Sequence, residues 1–221
     1  MTNPMSLSGK KILAVGDGSL LDKTVAQTLR DLGADVCEVA IEPGMDVLPH
    51  CGDEAVDGFF WGCVHSDFCP LKMVSHDNMA QIMNDNYFSF IDLLRDLFKQ
   101  KRIANNASIV VMSSISSIRA MKAKMAFSAA KAALDASVRS LAVELAPKGI
   151  RINSIQKGAV DVDFEKDHIQ AVSSINGEIA SRQVLGITAA SEVANLASFL
   201  LSDATKTLTG TSIVIDGGYT L

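Results

Sequence analysis

A doubly wound α/β fold, a parallel sheet with helices on both faces, is the architecture this sequence predicts. Three observations carry it. The apolar runs "KKILAVG", "VDGFFWGCV" and "ASIVVMSS" are continuous rather than alternating, as in strands buried on both faces. Longer segments with apolar residues at helical spacing lie among such runs, and this alternation implies parallel crossovers. At 221 residues the chain suits one core, so residues 1–221 are expected to form a single domain.

The elements follow in order. Lys10–Gly16 is a short apolar run ending in glycine, a buried strand. In Leu20–Ala34 the residues Leu21, Val25, Leu29 and Leu32 recur at helical spacing, and Gly33 is a stop signal. Asp35–Ile41 reads as a second strand. Glu42–Ala55 is rich in turn formers and too short for a full strand, helix and strand, so the sheet is expected to be shortened there. Val56–Val64 is the next strand candidate, His76–Gln100 one long helix and Ala107–Ser114 a buried strand. Met125–Pro147, rich in Ala and Leu, reads as a second long helix. Gly149–Ile155 is a strand. Ser191–Ala204 is a helix opened by a Ser-Glu pair suited to capping, and Gly210–Gly218 is the last strand. The least regular stretch, Gln156–Ala190, carries Glu165, Lys166, Asp167 and His168 and is a candidate cover for a pocket. Ligands in such folds sit at the carboxyl ends of the strands.

Composition excludes several classes. The chain is 48% hydrophobic and 20% charged with net charge −5, which argues against a nucleic-acid surface. No apolar run reaches the ~18 residues of a membrane span, and the first residues lack a signal-peptide pattern, so a cytoplasmic protein is expected. Cys37, Cys51, Cys63 and Cys69 form no CxxC pair and are expected to be free thiols. His50, Cys51, Cys63, His65 and Cys69 are close in sequence, but their spacing matches no common zinc pattern, and no metal is expected.

From Asn86 to Gly218 the chain carries an ordered set of motifs. Ser114, in "SSISS", precedes Phe127 by thirteen positions, and Lys131 follows Phe127 by four, on the same helix face. "KAALDASVRSLAVELAPKGIRINSI" and "LTGTSIVIDGGYTL" follow. Together with the first strand and helix, this pattern resembles the short-chain dehydrogenase/reductase family over nearly the whole chain. The resemblance implies a Rossmann-like fold, NAD or NADP as cofactor, and hydride transfer to or from a carbonyl or alcohol compound. It implies that Asn86, Ser114, Phe127 and Lys131 occupy the four catalytic positions, Phe127 standing where the family has tyrosine. In the family that tyrosine is the proton donor, its pKa lowered by the lysine, while the serine orients the carbonyl and the asparagine holds a relay water. It also implies a homodimer or homotetramer.

The departures cluster at the same sites. Phe127 cannot carry a proton, and acid–base groups typically contribute ~10²–10⁴ in rate. The glycine-rich turn aligns with "VGDGSLLD": Gly16 is kept, while Leu20 and Asp22 replace the later glycines. Leu20 adds bulk where a diphosphate would approach, and Asp22 would repel it. Gly16, Gly18 and Ser19 are the remaining candidates for this contact. The loop that normally borders the adenosine becomes "WGCV", where Trp61, Gly62 and Cys63 would crowd it. The acidic residue expected after the second strand aligns with Ala40, with Glu42 as a substitute two positions on. The family's Pro-Gly and later Thr become Lys157-Gly158 and Val162.

Hydride transfer is therefore expected to be impaired or lost, with NAD or NADP bound weakly or replaced by another small ligand. Other readings stay open. Ser114 and Lys131, or a water, would supply the proton in a working enzyme. A non-catalytic subunit would pair through its long helices with an active homologue. Lys131 or His168 would serve redox-free carbonyl chemistry. Ser114 and Lys131 also have plain structural explanations, as a strand end and a local pair, and Asn86 one as a bridge over a helix irregularity. The only tyrosines, Tyr87 and Tyr219, are poorly placed to replace the acid.

Overall fold

Among the described residues of the computed structural model, 3–42, 45–66, 68–162 and 182–221, six strands form one parallel sheet. In chain order they are β1 (Lys11–Gly16), β2 (Asp35–Ala40), β3 (Val56–Trp61), β4 (Ile103–Ser114), β5 (Arg151–Lys157) and β6 (Ser212–Ile215). The spatial order is β2-β1-β3-β4-β5-β6. The chain reverses direction across the sheet between β1 and β3, and ligands in open α/β sheets bind at such a switch.

Helices α1 (Leu20–Asp31) and α5 (Ala190–Leu201) cover one face, and α3 (Ser89–Lys99) and α4 (Met125–Leu145) the other. The strands supply both cores by alternation. Phe59, Trp61, Ile109 and Val111 face α3 and α4, while Phe60, Val110 and Met112 face α1 and α5. Burial on both faces is why these strands read as unbroken apolar runs.

Among its described residues, the turn-rich stretch after β2 contains only a short 3₁₀ turn at Leu48–His50, and β2 is the sheet edge. Its outer side is flanked by Met45, Val47 and Leu48, which join the core cluster with Cys37. The long helix expected over His76–Gln100 is interrupted. It consists of α2 (His76–Met83), a π-helical turn at Asn84–Phe88 and then α3. The capping expected of the Ser-Glu pair is met by Glu192 and not by Ser191. Ser191 lies inside α5, and the helix start is held instead by Glu192, which accepts from Ala189 N at 2.7 Å, and by Asp161, which accepts from Ala190 N at 3.0 Å.

Glu165, Lys166, Asp167 and His168, with the cover expected of them, lie outside the described residues. Among the described residues no group of three or more His, Cys, Asp or Glu is placed to hold a metal. None of their helices is long and apolar enough to cross a membrane.

Candidate active site

The carboxyl ends of β1, β3, β4 and β5 meet the amino ends of α1 and α4, and the predicted site residues divide between two ends of this region. At the first end, β1 runs into the turn Gly16–Ser19. Gly18 has φ +77°, a left-handed conformation that favours glycine. Ser19 caps α1, its Oγ accepting from Asp22 N at 3.2 Å. Leu20, expected to add bulk here, is half exposed at the first position of the helix.

Asp22 turns back into the protein and is buried. Its Oδ2 accepts from Asp17 N at 2.9 Å, while its Oδ1 has no partner among the described residues. A Cβ added at either Gly16 or Gly62 would overlap this carboxyl, so the Asp22 side chain fills the notch between the β1 turn and the end of β3. Burial first, and then the neighbouring Asp17 carboxylate, raise the Asp22 pKa to about 7. A shallow recess beside the notch is lined by Gly16, Gly18, Asp22, Glu38, Ala40 and Phe60. Glu38 is paired with Arg30 at 2.8 Å, and Glu42 is exposed beyond the strand.

Trp61 and Cys63 do not crowd this recess. Trp61 is fully buried in the core on the opposite face of the sheet, with ring centroids 6.4 Å from Phe59 and 5.7 Å from Phe90. The strand's alternation decides this: Phe60 faces the α1 side, so Trp61 must face α3. Cys63 is buried too, and burial pushes its thiol pKa up.

At the second end, Lys131 is fully buried on α4, and its Nζ donates to the carbonyls of Cys63 and Met112, each at 3.1 Å. These bonds tie α4 to the ends of β3 and β4. Burial lowers the Lys131 pKa to about 8. One helical turn on, buried Asp135 accepts from Ser154 Oγ at 2.8 Å and Gln156 Nε2 at 2.7 Å, fixing α4 against β5. Asn86, wholly buried in the π-turn, donates to His65 O and Ile82 O and accepts from His65 N. It thus bridges the helix irregularity and clamps the loop after β3. Ser114 ends β4 and caps a 3₁₀ turn, its Oγ accepting from Ser116 N at 3.1 Å. Phe127 packs against Ile82 and Ala130, leaving no hydroxyl at that point.

Two further lysines belong to this end. Lys124, the residue just before α4, donates to Ser66 Oγ at 2.8 Å. Its Nζ lies 4.4 Å from the Phe68 ring centroid and 5.3 Å from that of Phe127, whose centroid is 5.7 Å from Lys131 Nζ. Lys157, beside Ser114 across the β4–β5 pairing, is buried at the end of β5. Burial lowers the Lys124 pKa to about 8, and burial together with Lys124 and Lys131 lowers that of Lys157 to about 7. Lys124 was not singled out from the sequence. Its position three residues before Phe127, on the same helix face, was the available signal.

The family model described as enoyl-(acyl carrier protein) reductase matches residues 55–220, about three-quarters of the chain. This chain belongs to the short-chain dehydrogenase/reductase family. The NADH-dependent enoyl-[acyl-carrier-protein] reductase of Escherichia coli (strain K12) is 25% identical over 261 residues, covering 97% of this chain and 95% of the relative. That alignment is longer than this chain, so the relative carries segments that the present short-chain dehydrogenase/reductase lacks. The rat dehydrogenase/reductase SDR family member 6 is 33% identical over 144 residues, 63% of this chain and 59% of the relative. Among solved structures, a proposed 2-deoxy-d-gluconate 3-dehydrogenase from Agrobacterium tumefaciens, with bound NADP, superposes with a TM-score of 0.89 at 21% identity, over 99% of both chains.

Proposed function

We propose that this chain has the frame of an NAD(P)-dependent oxidoreductase of carbonyl and alcohol compounds, with hydride transfer impaired or lost. Family membership supports the frame, and the relatives named above are oxidoreductases by name. The observation that carries the second half is the Asp22 carboxyl lodged between Gly16 and Gly62. A dinucleotide needs backbone N–H groups and positive potential at this turn. Here the notch already holds a side chain, and Asp17 and Asp22 give the turn the wrong sign. The residues at the turn therefore do not fit a diphosphate.

The remaining site residues keep an order but lack the acid. Lys131 holds the ends of β3 and β4, Asn86 holds the following loop, and Ser114 closes β4. Phe127 supplies an apolar surface where an oxidoreductase of this family would need a proton donor.

The test is hydride transfer from deuterium-labelled NADH or NADPH to a panel of small aldehydes and ketones, read by mass spectrometry. The wild-type chain is expected to give no transfer above background. The double variant Asp22→Gly, Phe127→Tyr is expected to restore a measurable rate on at least one compound. Transfer by the wild-type chain with multiple turnovers would overturn the reading.

A further inference from the structure

The lysine end of the cleft sets two amines around one ring, with Lys124 Nζ 5.3 Å and Lys131 Nζ 5.7 Å from the Phe127 centroid. Lys157 is lowered in part by Lys124 and Lys131, and among the described residues neither Lys124 nor Lys131 is in an ion pair. Lys131 uses its hydrogen bonds on strand carbonyls, and Asp135 and Asp17 favour its charge from a distance, without an ion pair. Clustered, desolvated cations of one sign are costly unless an anion joins them.

The start of α4 adds to this field. The helix is 21 residues long, no side chain caps its amino end, and its first turn has no acidic residue. Its free N–H groups and macrodipole favour a negative charge at that point. Lys124 stands at this end, hydrogen-bonded to Ser66, and flanked by the rings of Phe68 and Phe127. Ser66 and Lys124 are half-buried and Met125 is exposed, so the group is reachable from solvent.

We propose that this end of the cleft binds a small oxyanion, a carboxylate or phosphate group, between Lys124 Nζ, Ser66 Oγ and the amino end of α4. The proposal deepens the functional reading above, since it rests on the cleft being open to a ligand other than a dinucleotide. Lys131 and Lys157 contribute charge from beneath, and Phe127 forms an apolar wall in place of a proton donor. An acidic carbonyl compound and a phosphorylated one would both present the required group.

The experiment is calorimetric titration of the whole chain, without dinucleotide, in a buffer free of oxyanions, using inorganic phosphate in one arm and pyruvate in the other. Saturable binding in at least one arm is expected, and the arm that saturates identifies the source. Lys124→Met is expected to weaken it by about tenfold or more, and Lys122→Met, an exposed neighbour, to leave it unchanged. Lys124 makes no side-chain cap, so Lys124→Met is expected to fold. Should its thermal melt show otherwise, Ser66→Ala serves as the second variant, and it too is expected to weaken binding. No saturation at millimolar concentration of either probe, or equal affinity in the folded variant, would overturn the proposal. Dinucleotide binding by the wild-type chain would overturn the functional reading alone and leave these outcomes standing.

Discussion

The two ends of the cleft have opposite chemistry. The β1–α1 turn gathers two carboxyl groups, Asp17 and Asp22, at a helix amino end. The ends of β3, β4 and β5 gather Lys124, Lys131 and Lys157 near another helix amino end. Burial acts on both in the same sense, favouring the neutral form: it raises the Asp22 pKa and lowers those of the lysines. Location differs from what a dinucleotide needs. On the proposed reading, the acid is placed where a diphosphate would lie, and the positive charge lies beyond it.

The largest expected effect separates the ends mechanically. Asn86→Ala removes the side chain that bonds His65 N, His65 O and Ile82 O, and is expected to cost about 3 kcal/mol in denaturant unfolding. It should loosen the loop carrying Ser66 and leave amide protection at the β1–α1 turn unchanged. Equal loss of hydrogen-exchange protection at both ends would break the division.

The pH dependence of stability distinguishes the two ends by sign. The folded pKa of Asp22, about 7, exceeds its usual value of 3.8, so the folded state binds the extra proton between these values. Its contribution is present at low pH and is lost as pH rises through about 7. The lysines behave oppositely. Folded values of about 7 to 8 lie below the usual 10.5, so the unfolded chain binds more protons above pH 7 and stability gains with pH there. Above pH 9 the raised thiols of Cys51 and Cys63 oppose that gain. Unfolding free energy is therefore expected to dip near neutral pH. Asp22→Asn should remove the falling limb and add about 2 kcal/mol at pH 8. Lys124→Met should shallow the rising limb by about 1 kcal/mol. A flat profile that neither variant alters would contradict the assignment of opposite charges.

The smallest effect on stability is expected from Phe127→Tyr, within about 1 kcal/mol, because the ring is retained and two lysine amines lie 5.3 and 5.7 Å from its centroid. The same cations should bring the new phenol's ionisation below the usual ~10, read by ultraviolet difference titration. An ordinary phenol titration would place Lys124 and Lys131 farther from the ring than this account requires.

Much of the fold was legible because buried parallel strands and amphipathic helices leave different periodicities. The strand runs, α1, α4 and the missing element after β2 were all readable in this way. The break at Asn84–Phe88 left no periodic trace, since a π-turn adds one residue to a helix whose apolar face continues through Phe90 and Leu94. At the start of α5 the part played by Glu192 was readable locally, while that of Asp161, distant in sequence, was not. In the candidate site, Asp22 was legible as a replaced glycine, but its return into the notch needed Gly62, brought close by β3. Trp61 was misread because a motif position was weighed above the alternation of its strand. Lys124 was overlooked because its significance depends on Ser66 and Phe68, from a loop far away in the chain.

The most direct measurement is a calorimetric titration of the purified chain and of Asp22→Gly with NADH and NADPH. With Asp22 filling the notch, the wild-type chain should show no saturation below millimolar cofactor, and Asp22→Gly should bind at least about tenfold more tightly. Micromolar binding by the wild-type chain, unimproved by Asp22→Gly, would contradict the account and restore the turn to the role its fold suggests.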